Sequence, residues 1–225
     1  MHAIYCQLLR KNDLCFDIGA HAGEKARRML EFDSRVIAIE PQPWRANALK
    51  EMFPPPTPVE VVEAAVGPHS GFGELSVCDA ADTISTMSED FRNSSRFSTR
   101  GYKWERSLPV EIVTLDDLIR RYGRPDFCKL DIEGFEAEAL LGLSAPIRHL
   151  AFEFHEEFPE STRQCLSRLS NLSPIRCNAS LGESGVFAFD EWLPSEEVVH
   201  RLSALATTSP CEWGLWGDLY VRMKV

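Results

Sequence analysis

The stretch CFDIGAHAGEKARRML, Cys15 to Leu30, followed by RVIAIEP at 35–41, constrains the fold more than any other part of the chain. A short apolar run ends in a glycine turn, a helical pattern follows over about 24–31, and a second apolar run returns: a β-α-β unit. A tight turn at a strand end needs glycine, either to take positive φ or to let a ligand approach the backbone. The turn reads G-x-x-x-G and lacks the middle glycine of a dinucleotide fingerprint, so its ligand has to be inferred from residues further on.

The alternation continues along the chain. PPPTP (54–58) stops the next helix, and VEVVEAAVG (59–67) supplies a third strand. After GELSVCD (73–79) comes a polar stretch at about 80–107, rich in Ser, Thr and Arg, and a loop of that length reads as an inserted lid. Regular patterns resume with VEIVTLDDLIRRYG, then DFCKLDIEG, a helix at about 136–143, and RHLAFEFH at 148–155. A helix near 160–171, a strand near 173–177, a helix at 195–205 and a last strand, GDLYVRMKV, complete the chain. Such alternation predicts an α/β fold: a doubly wound, mostly parallel sheet with helices on both faces and a ligand site beyond the carboxyl ends of the strands.

Bulk properties narrow the class. The 225 residues suit one domain with a substantial core, and 44% hydrophobic with 26% charged residues is a globular composition. A formal charge of −10 argues against a nucleic-acid partner, whose phosphates call for a basic face. The seven cysteines are scattered and form no CxxC pair, which reads as reduced core thiols rather than disulfides or a zinc site. The first residues, MHAIYCQLLRKND, do not make a signal peptide, and no run approaches the ~18 apolar residues of a membrane span, so a cytoplasmic location is expected.

Three groups of residues point to chemistry. Asp17, Gly19 and Gly23 shape the first turn. Glu40 ends the second strand about twenty residues later, where an acidic side chain accepts hydrogen bonds from both ribose hydroxyls of an adenosine ligand. In CKLDIEGFE (128–136), Asp131 falls at a strand tip, and Lys129 within the strand needs a carboxylate partner, for which Glu153 on the neighbouring strand is the candidate.

Taken in order and at these intervals, FDIGAHAG, IEP, AAVG, VTLDDLI and KLDIEGFE resemble the FkbM family of S-adenosylmethionine-dependent methyltransferases, over roughly residues 14–155. The resemblance implies a class I methyltransferase (Rossmann-like) sheet with an antiparallel C-terminal strand, and O-methylation of a hydroxyl on a sugar or other small metabolite. By position, Asp17, Gly19, Ala20, His21 and Gly23 would surround the methionine part of the cofactor, Glu40 with Pro41 the ribose, and Glu63, Ala64 and Ala65 the adenine, while Asp131 would face the same pocket. The chain departs from the family where His21 replaces a commoner Asn, where Glu24-Lys25 replace an aromatic-Ser pair, and where Glu63 replaces Asn.

Methyl transfer to an alcohol needs the acceptor oxygen aligned with the sulfonium and a base for its proton. His155, with its better-matched pKa, is the favoured base, with Asp131 or Glu153 orienting it. The same three residues are a conceivable divalent-metal set, but without a spacing signature no metal is assigned. Arg92, Arg96, Arg100, Lys103 and Arg106 in the 83–106 loop would suit an anionic acceptor, and Trp192, Trp213 and Trp216 would suit a sugar-stacking wall. Two other readings stand beside this one. A nicotinamide-dependent oxidoreductase shares the strand, turn and acid but calls for G-x-G-x-x-G, and a non-catalytic cofactor-binding module would share the fold.

Overall fold

A computed structural model describes residues 1–208 and 214–225. The chain opens with helix α1 (His2–Leu8), which the sequence reading does not anticipate. Strand β1 (Leu14–Ile18), helix α2 (Glu24–Leu30), strand β2 (Arg35–Ile39), helix α3 (Pro43–Met52) and strand β3 (Val59–Val62) then alternate as expected. VEVVEAAVG is not one strand. It leaves the sheet after Val62, and Ala65–Val66 (β4) pairs instead with β6 (Arg106–Val113), which also pairs with β5 (Gly71–Val77) in a second, three-stranded sheet. The stretch at 80–107 is also more ordered than a loop: it holds a 3-10 turn (Asp82–Ile84) and short helices α4 (Glu89–Asn93) and α5 (Ser95–Ser98).

Helix α6 (Leu115–Tyr122) starts at a capping box in which Thr114 and Asp117 exchange side-chain and backbone hydrogen bonds. It leads to strand β7 (Phe127–Leu130), helix α7 (Glu136–Leu141), strand β8 (His149–His155), helix α8 (Pro159–Leu172), strand β9 (Ile175–Leu181), helix α9 (Ser195–Thr208) and strand β10 (Trp216–Met223). The main sheet has the order β3-β2-β1-β7-β8-β10-β9. All its strands run one way except β10, which is antiparallel to both neighbours.

The two faces of the sheet follow from alternation along the strands. Phe16, Ile18, Ile37, Ile39, Cys128 and Leu130 pack under α6 to α9. Cys15, Val36, Ala38, Phe127, Ala151 and Tyr220 pack under α1 to α3. Strands β1, β2 and β7 are buried on both sides, so their carboxyl ends are the places where polar side chains can reach a ligand.

Candidate active site

The site is built first from backbone. The amides of Gly19 and Ala20 both donate to the Ile39 carbonyl, and the Asp131 amide donates to the Ile18 carbonyl, so the tips of β2, β1 and β7 are tied together. Gly19 has φ +81, and a Cβ there would lie 1.9 Å from the Asp131 carbonyl oxygen; only glycine lets the turn lie against the β7 tip. Gly23, at φ +75, faces Leu49 and Phe53 of the α3 region in the same way.

Glu40 lies beyond the β2 tip and is 2% exposed. One of its carboxylate oxygens accepts from the His21 amide at 2.8 Å and the other from the Gln42 amide at 2.9 Å. Burial raises its pKa, and these two amides act against the rise. A carboxylate oxygen accepts more than one hydrogen bond, so Glu40 is braced and still able to receive hydroxyl groups.

Two adjoining clefts open above these tips. The inner one has an apolar wall of Ile39, Ala64, Ala65, Val66, Leu75 and Phe135, with Glu40, Pro41 and Gln42 along one side. The outer one runs past Ala20, Ala22, Lys25 and Glu183. Gly19, His21, Thr83, Asp131 and Glu133 line both. An apolar slot beside a hydrogen-bonding carboxylate, continuing into a charged channel, fits an adenosine bearing an amino-acid tail, which is the form of S-adenosylmethionine.

The inserted segment closes the inner cleft through an aspartate that the sequence reading overlooks. Asp82 accepts from Arg45 at 2.7 and 2.6 Å, from the Trp44 indole at 3.1 Å, and lies 3.2 Å from the His21 ring. The Arg45 hydrogen bonds, joined by those from Trp44 and His21, hold its carboxyl well below the usual carboxylate range. Thr83, Ser85 and Met87 follow it onto the cleft wall. Nothing in CDAADTIS marks Asp82 in advance, because its partners lie about forty residues earlier.

His155 and Glu153 line neither cleft and sit behind Glu133, which lines both; His155 is 5% exposed, and its Nε2 lies 3.1 Å from Glu153 Oε2. Phe91 of α4 covers the ring at 5.6 Å between centroids, and Phe158 flanks it. Burial alone would lower the imidazole pKa, but the charge and hydrogen bond of Glu153 outweigh it and the pKa is raised. Glu133, in the left-handed region at φ 55, brings a carboxylate oxygen within 4.8 Å of the Glu153 and His155 ligand atoms. Asp131 is not part of that group; Glu133 takes the place the sequence reading gave it.

Lys129 departs from expectation as well. It does not pair with Glu153; its ammonium lies 3.2 Å from Asp131 and 2.9 Å from Asp218. The register explains the exchange. Ala151, not Glu153, stands opposite Lys129, while Glu153 and His155 share one face of β8 two residues apart and bind each other. Asp218 stands opposite Glu153 on β10, far away in sequence, and so was invisible as a partner. Attraction to Lys129, reinforced by Lys25, outweighs burial and lowers the Asp131 pKa.

The remaining candidates divide. Asp17 is fully buried beneath the turn, where burial pushes its carboxyl up to about 7, and it lines neither cleft. Glu63 is exposed and pairs with Lys50 at 3.6 Å, turned away from the inner cleft that Ala64 and Ala65 line. The basic residues of the insertion do not form one open patch. Arg96 is 7% exposed, lies 3.4 Å from Glu157 and stacks near Phe97 and Trp216; Arg100 donates to the Arg96 carbonyl; Arg106 binds Asp79. Trp192 packs on Phe187 under Arg222, away from both clefts, and Trp213 lies outside the described residues.

Counting only the main-sheet strands in chain order, the arrangement reads 3-2-1-4-5-7-6 with strand seven reversed, and its acidic cleft lies over strands one, two and four. That is the class I, S-adenosylmethionine-dependent methyltransferase fold. The chain belongs to the FkbM methyltransferase family: residues 17–193 match the methyltransferase FkbM domain.

Solved structures of similar outline include precorrin-6Y C5,15-methyltransferase from Geobacter metallireducens (11% identity, 100% of this chain and 87% of that one, TM-score 0.48). The C-terminal domain of the Rhodobacter capsulatus enzyme of the same name is alike (12%, 100% and 88%, 0.48). So is 1,6-didemethyltoxoflavin-N1-methyltransferase from Burkholderia thailandensis, solved with S-adenosylhomocysteine (12%, 100% and 76%, 0.46). A comparison with curated proteins found no match. Among the described residues no helix is long and apolar enough to cross a membrane.

Proposed function

We propose that the protein transfers a methyl group from S-adenosylmethionine to a hydroxyl of a small-molecule acceptor such as a sugar, with His155 as the base and Glu153 as its orienting partner. The observation that carries this reading is the 3.1 Å contact between the two on one strand face, beside the Glu133 carboxylate that lines both clefts. The bound cofactor supplies the activated methyl group. Glu40 with the 39–42 backbone holds the ribose, and the Ala64–Ala65 wall the adenine. Glu153 holds the imidazole through Nε2, which leaves Nδ1 to receive the acceptor's proton as the new O–C bond forms.

Asp131 serves this scheme as the partner of Lys129 rather than as a base, because an ion-paired carboxylate with a lowered pKa is a poor proton acceptor. Phe91 covers the face of the His155 ring, so the α4–α5 insertion acts as the acceptor-side lid. The basic residues of that insertion are mostly tied within the protein, which favours a neutral hydroxyl compound over a strongly anionic one.

The test is methyl transfer from S-adenosylmethionine to a panel of sugars and other polyols, followed by NMR of the product. An O-methyl resonance that disappears with His155→Ala is expected. A methyl group delivered to nitrogen or carbon sinks the O-methyl assignment.

A further inference from the structure

Lys25 stands apart from every other residue of the two clefts. Among the described residues it is the only lysine or arginine lining either of them, on a wall otherwise marked by Glu24, Asp131, Glu133 and Glu183. Its side chain is 17% exposed, yet the ion pair it makes, with Glu183, is 3.7 Å long, beyond hydrogen-bond distance, and Glu183 is itself 66% exposed. Asp131, which also feels the charge of Lys25, is already taken by Lys129. A largely buried lysine side chain that faces a cleft with only a loose surface partner for its ammonium leaves room for a closer anion.

The methionyl end of the cofactor is a zwitterion, with an ammonium and a carboxylate on one carbon. The carboxylates of the outer cleft suit the ammonium and repel the carboxylate everywhere except at Lys25. We propose that Lys25 binds the α-carboxylate of S-adenosylmethionine, and that Glu183 is a placeholder displaced when the cofactor enters. The assignment rests on the cofactor reading of the same cleft and deepens it. It also gives a function to a position where the chain departs from the aromatic-Ser pair seen in the family resemblance.

Two ligands that differ only in the amino-acid tail separate this role from a structural one. Calorimetry on the full chain should show Lys25→Met weakening S-adenosylhomocysteine by about tenfold to a hundredfold, the range for a lost charge-assisted hydrogen bond. The same variant should leave 5′-methylthioadenosine, which lacks the tail, within about twofold. Lys25→Arg should restore most of the affinity, and Glu183→Gln should tighten S-adenosylhomocysteine by a few fold, roughly what removing one exposed competing charge is worth. Lys25→Gln repeats the comparison where the methionine variant is unstable. Equal losses for both ligands, or no loss for either, overturn the assignment; a wild-type protein that binds 5′-methylthioadenosine but not S-adenosylhomocysteine overturns the cofactor reading itself.

Discussion

The Glu40 and His155 regions are built on opposite principles. Around Glu40 each acceptor oxygen meets a backbone amide, and Asp82 is saturated by Arg45, Trp44 and His21, so this region is held in one geometry. Around His155 the charges are crowded instead. Burial and the neighbouring Glu153 push Glu136 up to about 7 and raise Glu133 as well, while the Arg96 charge opposes protonation of His155. The first region suits a ligand that never changes. The second holds protons that can move, under a cover of Phe91 and Phe158, which is what proton removal from an acceptor requires.

On that contrast, the largest effect of any single change should come from the crowded region and should spare binding. His155→Ala is expected to lower kcat by about 10²–10⁴, the usual contribution of a positioned base, while S-adenosylhomocysteine affinity measured by calorimetry stays near wild type. A variant that loses both in parallel would break the division, since it would make His155 a support for the whole cleft.

The converse change belongs to the braced region. Glu40→Ala should weaken S-adenosylhomocysteine by about tenfold to a hundredfold, and because it strands the His21 and Gln42 amides it should also lower the melting temperature. Falling stability with unchanged affinity would leave Glu40 only a brace for the turn.

What the sequence made legible divides along the same line. Turn, acid and strand tips were readable because they are local: Gly19 and Glu40 belong to one β-α-β unit, and Asp131 ends an apolar run. The antiparallel last strand followed from the family resemblance rather than from any pattern in GDLYVRMKV. Partners that meet through the tertiary fold left no local trace. Lys129 finds Asp218 across two strand pairings, and Asp82 finds Arg45 only because the insertion folds back over the cleft. Arg96 illustrates the hazard of counting charges in a polar stretch, since its guanidinium is buried between aromatic rings and an ion pair.

The smallest expected effect is the sharpest probe of the crowded region. His155 must be neutral to accept a proton, and its pKa is raised because Glu153 outweighs the cost of burial. Activity should therefore fall as pH drops through a value above the ordinary histidine pKa of about 6.5. Glu153→Gln keeps a hydrogen-bonding side chain but removes the charge, so burial and Arg96 are opposed only by Glu136 and the imidazole pKa should drop. The acidic limb of the kcat profile then moves to lower pH. At pH 6 the variant should retain a larger share of its own maximum than the wild type does, even though that maximum is lower because the ring is less firmly oriented. An acidic limb that stays in place would mean that the titrating group is another of the buried acids, with Glu136, raised to about 7, the first to examine.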